Sequence, residues 1–450
     1  MAQKVTHCRA CGSKALTPAF AIQSKPAKGA RKSASKKPGY VLCDPSRHAR
    51  ACGLLQSDMV DAGPLPTPSA RYASNREHLR AMATEALELL SGRDCAALDI
   101  GCNDGSLLSY YPRWVERFGV DPSDFVDEVG KWAWSAKASF PSPELDSAFG
   151  EKKFDIITAA SVFEHIDDPR GFLKAVKERL SSDGVLALET LYSPMVLTRN
   201  SIDIFQVGVT AVYSLSVLEW LVRSEGMKVV KGALTAKAGG SIRLFITHKE
   251  NEDLDFDPWN ERLATLWDEE NALAMRALQP YQSFDRRVED IRHALAQMFD
   301  EISERGETVH ILGSDVQSEA MLDFMGRSAA SVGAVVDTFG ARERDVFGKT
   351  GLPIISETES RAAEPDYVLA PARYKREMLE RWREPIELGA KMIFATPMPH
   401  IVTAANYASE YGKTIASGDN AGGAESLRSI LSAAGGLRVI HENKDVVKSA

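Results

Sequence analysis

The chain has 450 residues, 44% hydrophobic and 26% charged. That excludes a mainly disordered chain, a collagen-like repeat and a mini-protein scaffold, and at roughly 150 residues per domain it suggests about three domains. With 54 basic and 62 acidic residues, a net charge of -8, the chain lacks the positive footprint of a dedicated nucleic-acid binder. The longest uncharged run, Met392 to Ser409, holds Pro397, Pro399, His400 and Asn406. It is too broken to span a membrane, which takes about 20 mostly apolar residues. No apolar signal-peptide core follows Met1, so a cytoplasmic location with reduced thiols is expected.

Four of the six cysteines lie near the start: Cys8, Cys11, Cys43 and Cys52. Cys8-Arg9-Ala10-Cys11-Gly12 is a knuckle whose two thiolates face one tetrahedral ion, with glycine permitting the tight turn. Cys43 and Cys52 supply the second pair, and His48 between them offers a replacement for one sulfur. The expected ion is a structural Zn²⁺, since four protein ligands leave no open position. The alternatives are a redox pair, which would need a βαβ context that is absent, or unrelated buried cysteines. Between the pairs, residues 24–37 carry six basic side chains and no acidic one. They read as a solvated loop, with a phosphate contact as the other reading.

A helix is predicted from about Asn75 to Leu90, where Leu79, Met82, Ala83, Ala86, Leu87 and Leu90 recur at helical spacing. A short apolar strand then enters a glycine-rich turn, Asp99-Ile100-Gly101-Cys102-Asn103-Asp104-Gly105. Gly101 and Gly105 let backbone pass close to a ligand, and Asp99 can accept from an ammonium. The pattern differs from the GxGxxG of a dinucleotide site and favours a cationic ligand. About 20 residues on, Asp121 follows Phe118-Gly119-Val120 at the place of a ribose-binding acid. Further strands are expected over Phe154 to Ser161 and Gly184 to Glu189, and alternation with helices implies a mostly parallel sheet.

In order and spacing these segments resemble the class I S-adenosylmethionine (SAM) dependent methyltransferase core. The resemblance implies SAM held by Asp99, Gly101, Asn103, Asp104, Gly105, Asp121, Ala160 and Ser161. The dissenting readings are a nicotinamide-dependent dehydrogenase and a fold whose pocket has decayed. A longer set of segments resembles the nucleotide-sugar C-methyltransferase family: Cys52-Gly53-Leu54-Leu55-Gln56, Glu164-His165-Ile166, Glu189-Thr190-Leu191-Tyr192, Tyr213-Ser214, Gly239-Gly240-Ser241-Ile242-Arg243 and Pro365-Asp366-Tyr367-Val368-Leu369. That resemblance implies an α/β chain with a zinc-binding module (1–57), a methyltransferase core (58–250), a helical bridge (251–305) and a C-terminal Rossmann-like substrate domain (306–450). It also implies carbon methylation beside a ketone, with a His-Glu-His segment supplying the base.

Here the frame Asp203 to Tyr213-Ser214 is present, but Val207-Gly208-Val209 stands in place of His-Glu-His. Neither Val nor Gly can take a proton, and a general base is worth about 10²–10⁴-fold in rate. The candidate replacements are Tyr72, His165, Tyr192 and Tyr213, each with a packed side chain as the other reading. The acceptor could instead be a hydroxyl or amine, for which proximity does much of the work. Or the chain is a non-catalytic SAM-binding or assembly protein.

Beyond the bridge, Val309-His310-Ile311-Leu312-Gly313-Ser314-Asp315 reads as strand and turn, and Val332 to Asp337 as the next strand. The family shows a Gly-Tyr-Gly-Ala turn and a lysine there, whereas Asp315 would repel a phosphate at the helix start. Arg342, Arg344 and Lys349 offer phosphate contacts, with a solvated loop as the other reading. The expected partner is a small-molecule acceptor, a sugar or nucleotide-sugar-like metabolite, with no nucleic acid and no membrane. No motif is legible after about Ile401, although Leu437 to Ile440 suggests a late edge strand.

Overall fold

The computed structural model describes residues 3–22, 39–60, 73–90, 95–205, 208–235, 237–254, 257–325, 331–338, 346–347 and 350–414. Tyr72, the basic residues 24–37, Val207, Arg342, Arg344, Lys349 and Leu437 to Ile440 lie outside the described residues.

The central sheet has seven strands in the order Met227–Thr235, Ser241–His248, Leu180–Leu191, Phe154–Ala160, Ala96–Ile100, Glu116–Val120, Trp134–Ala136. Ser241–His248 runs antiparallel to both neighbours and the other pairings are parallel. This is the class I methyltransferase arrangement. Its central strands read as continuous apolar runs because both faces are covered. One face packs Leu98, Phe154, Ile157 and Leu188 with Phe163, Phe172 and Leu221. The other packs Ala97, Ile156, Val185 and Phe245 against Leu79, Met82 and Ala86 of the helix Ala73–Glu88. Each such side chain, fully buried, stabilises the fold by about 1.5–3 kcal/mol.

The N-terminal strands Leu16–Phe20, Tyr40–Cys43 and Leu55–Ser57 form an antiparallel sheet that does not end where the sequence suggested. Its fourth strand, Ala211–Val212, comes from the core segment and pairs with Leu55 and Gln56. Tyr40, in the same sheet, donates its hydroxyl to the Val209 carbonyl.

Helices Asp257–Ala272 and Gln279–Glu304 bridge to a second seven-stranded sheet. Its five inner strands, Leu352–Ser356, Val332–Asp337, Val309–Leu312, Tyr367–Ala370 and Lys391–Phe394, are parallel, and short antiparallel strands close both edges. Val309–Leu312 comes first in sequence and lies between Val332–Asp337 and Tyr367–Ala370, so the strand order reverses at its edge with Tyr367–Ala370. Among the described residues no helix is long and apolar enough to cross a membrane.

Candidate functional site

The glycine-rich turn leaves the carboxyl end of Ala96–Ile100. Gly101 and Gly105 hold φ of +72° and +75°, where a side chain is strained. A Cβ on Gly101 would stand 2.4 Å from Val162 Cγ2, and one on Gly105 would stand 2.8 Å from Val129 and Trp132. Glycine is therefore required by protein neighbours as well as by the turn. Asn103 shares the left-handed region at φ 49°.

Three carboxylates surround this turn. Asp99 is buried, accepts from the Thr158 hydroxyl at 2.6 Å, and lies near Asp121 and Asp104. Burial pushes its pKa up to about 7, against the Thr158 hydrogen bond, and the two nearby acids push the same way. The Tyr111 hydroxyl is buried close to Asp99 and Thr158. Asp121 takes the Asn103 N–H at 3.0 Å and the Ser123 N–H at 2.8 Å, so it fastens the turn to the next strand. Asp104 takes the Ser106 N–H and hydroxyl. A buried acid with two further acids beside it fits a cationic ligand group. Ala160 ends the neighbouring strand, and Ser161 follows at φ 56° with its N–H on the Glu189 carbonyl.

Next comes a short 3₁₀ turn, Phe163–His165. It places three candidate residues very differently. His165 is exposed, and its Nδ1 lies 2.8 Å from the Gly208 carbonyl oxygen. The segment that lost its histidines thus contributes a backbone acceptor to the one that remains. A carbonyl can only accept, so Nδ1 is the donor of this contact and Nε2 takes no part in it. Tyr192 and Tyr213 are both wholly buried. Tyr192 donates its hydroxyl to Glu270 at 3.1 Å, and Tyr213 stacks on Phe163 at 4.8 Å. Burial raises both hydroxyl pKa values well above the ordinary phenol range. The structure therefore places these two tyrosines in the core rather than on a cleft.

The loop around His165 is stitched to its surroundings. The Thr210 hydroxyl donates to the Glu164 and Ile166 carbonyls at 3.0 Å each, and its N–H to Glu164 at 2.8 Å. The Glu164 side chain is buried, accepts from the Thr190 hydroxyl, and has its pKa raised by burial. Arg9, inside the cysteine knuckle, reaches Asp167 at 2.7 Å and the Ser57 and Met59 carbonyls at 2.7 and 2.9 Å.

The four thiols of Cys8, Cys11, Cys43 and Cys52 lie within 4.8 Å of one another. Cys8 and Cys52 are 3.6 Å apart and Cys11 and Cys43 3.5 Å, too far for disulfides and right for ligands sharing one ion. His48 is not in this group; its Nδ1 accepts from the Arg50 N–H on an exposed loop.

Sequence reasoning missed two ionic groups. His78, Glu189 and Arg243 form a buried cluster, with His78 Nε2 2.5 Å and Arg243 Nη2 3.0 Å from the Glu189 carboxylate. The contacts from His78 and Arg243 outweigh burial there and hold Glu189 down at about 2. Arg373, nearly buried, bridges Asp203 and Asp315 at 2.8 Å each. It borders a shallow cleft, partly open to solvent, at the carboxyl ends of Val309–Leu312 and Tyr367–Ala370. A cation just after a strand end, as in Ala372-Arg373-Tyr374, was the available signal.

Residues 72–231 match the family described as a methyltransferase domain, and residues 236–397 the family described as the C-methyltransferase C-terminal domain. The chain is 24% identical over 336 residues to the C-methyltransferase NovU of Streptomyces niveus, covering 73% of this chain and 79% of that protein. It is 29% identical over 115 residues to the mitochondrial ubiquinone biosynthesis O-methyltransferase of Schizosaccharomyces pombe, covering 23% of this chain and 42% of that one. Among solved structures it is similar to a SAM-dependent methyltransferase from Clostridium acetobutylicum, with 14% identity, a TM-score of 0.32, and coverage of 40% of this chain and 93% of that one.

Proposed function

We propose that this SAM-dependent methyltransferase, a methyltransferase domain joined to a C-methyltransferase C-terminal domain, methylates a small sugar-like or nucleotide-sugar-like acceptor at carbon or oxygen. His165 is its general base. The observation that carries this reading is the His165 Nδ1 contact to the Gly208 carbonyl, which orients an exposed ring and leaves Nε2 outside that contact.

Bound SAM supplies an electrophilic methyl group. The residues that would hold it are Asp99, Gly101, Asn103, Asp104, Gly105, Asp121, Ala160 and Ser161. Asp99 faces its ammonium as the buried acid of the turn, and Asp121 keeps the turn in place. Nε2 of His165 takes the acceptor's proton, from a hydroxyl or from a carbon beside a ketone. The positive charge that develops on the ring is shared with the Gly208 carbonyl. Tyr72, just before the helix Ala73–Glu88, remains an acceptor-side candidate. Tyr192 and Tyr213 support the loop from below.

The four cysteines would hold a structural Zn²⁺, because their spacing suits tetrahedral thiolate ligation and uses every position.

The test pairs S-adenosylhomocysteine titration with methyl transfer from labelled SAM to a panel of keto sugars and sugar alcohols. His165→Gln should lose about 10²–10⁴-fold in kcat while keeping its affinity for S-adenosylhomocysteine. A variant that turns over as fast as the parent removes His165 from the mechanism.

A further inference from the structure

We infer that the cleft of the second sheet receives a phosphate-free part of the acceptor, because Asp315 already occupies, as an internal anion, the place where such a sheet seats a phosphate. This rests on reading the cleft as the acceptor side of the methyltransferase.

Topology comes first. In open parallel sheets, ligands bind at the carboxyl ends of the strands where the strand order reverses. That point here is the edge between Val309–Leu312 and Tyr367–Ala370, and Leu312, Leu369 and Ala370 line the cleft. In nucleotide-binding sheets the phosphate sits at the N-terminus of the helix after the first strand, on unsatisfied N–H groups. The corresponding helix is Val316–Met325.

Asp315 precedes that helix. Its Oδ1 accepts the Ser318 N–H at 3.0 Å and the Ser318 hydroxyl at 3.0 Å. An N–H that would meet a phosphate is therefore already taken by a carboxylate. Its Oδ2 accepts from Arg373 at 2.8 Å, and the other arm of that guanidinium serves Asp203 at 2.8 Å. One cation thus faces two carboxylates. A phosphate would have to displace one of them from a nearly buried guanidinium and approach the other. The rest of the lining is largely aliphatic, with Ile311, Met321 and Ala395 beside the hydroxyls of Ser318 and Thr396. Such a wall suits a neutral ring with a few hydroxyls better than a diphosphate.

The test is a gain of binding. The intact protein is titrated calorimetrically with uridine diphosphate, alongside Asp315→Asn. Asparagine caps a helix as well as aspartate does, so the fold is kept while the internal anion is lost. The parent should give no saturable heat with uridine diphosphate into the range of about 1 mM, and Asp315→Asn should bind it at least about tenfold more tightly, through the released arm of Arg373. Tight binding by the parent, or no gain in Asp315→Asn, overturns the inference. S-adenosylhomocysteine is titrated into both proteins. It reports on the other sheet, so its failure to bind would count against the methyltransferase reading and leave the diphosphate result intact.

Discussion

Asp99 is the residue whose chemistry is most exposed to test. Its folded pKa of about 7 lies above the ordinary aspartate value of 3.8 because burial disfavours the charged form. The empty protein therefore has this group's full stability contribution below about pH 4, and loses it as pH rises through 7. Asp99→Asn should remove that part of the slope in thermal melts between pH 5 and 8. A bound ammonium favours the carboxylate, so cofactor binding should release a proton near pH 7 and strengthen with pH. Calorimetry in buffers of different ionisation enthalpy reads that proton directly. A parent protein that releases none would show that the ammonium does not meet Asp99.

At the scale of elements, the helix Ala73–Glu88 is held at two points. Its N-terminus is capped by Glu377 of the second α/β unit, which accepts the Ser74 hydroxyl at 2.6 Å and the Ser74 and Ala73 N–H groups at 3.2 and 3.4 Å. Its inner face is pinned by His78 on Glu189. Glu377→Ala should cost about 0.5–2 kcal/mol, as a lost cap does. Glu189→Gln takes the buried anion from His78 and leaves Arg243 only Glu85 at 3.3 Å among the described residues, and should cost about 3–5 kcal/mol. Urea unfolding of both variants orders the two contacts, and equal losses would refute the ranking. The helix itself was legible from Leu79, Met82 and Ala86, because apolar periodicity is local. The ionic cluster was not, since Arg243 and Glu189 stand 54 residues apart and meet only across paired strands. For the same reason the turn from Asp99 to Gly105 could be read as a unit, whereas Arg373 could not be linked to Asp203, 170 residues away. Ser241–His248 stands out in the sequence by its arginine and the two glycines before it rather than as a strand, because its burial on both faces leaves no alternation to read.

For the whole molecule, the cysteine module and the reaction loop form one mechanical unit. Arg9 of the knuckle grips Asp167, two residues past His165, and Ala211–Val212 completes the module's sheet three residues past Gly208. Removing the metal should therefore loosen the His165–Gly208 contact and leave the glycine turn intact. The expected result of chelation is one zinc lost by native mass spectrometry, a large fall in kcat, and nearly unchanged affinity for S-adenosylhomocysteine. Unchanged kcat after metal loss would show that the loop stands without its brace. This dependence is not legible in the sequence, because a two-residue strand such as Ala211–Val212 has no pattern of its own and exists only through its partner.

That shared sheet also orders events during synthesis. The module leaves the ribosome before the core does, yet Tyr40 finds its carbonyl partner on a residue 169 positions later. At about 5–20 residues per second, the edge strand Leu55–Ser57 waits roughly 10–30 s before Ala211–Val212 arrives to cover it. Through that interval its free backbone groups are open to other chains. The nascent chain thus has its most vulnerable moment while its four-cysteine end is already outside and the strand that covers it has yet to be made.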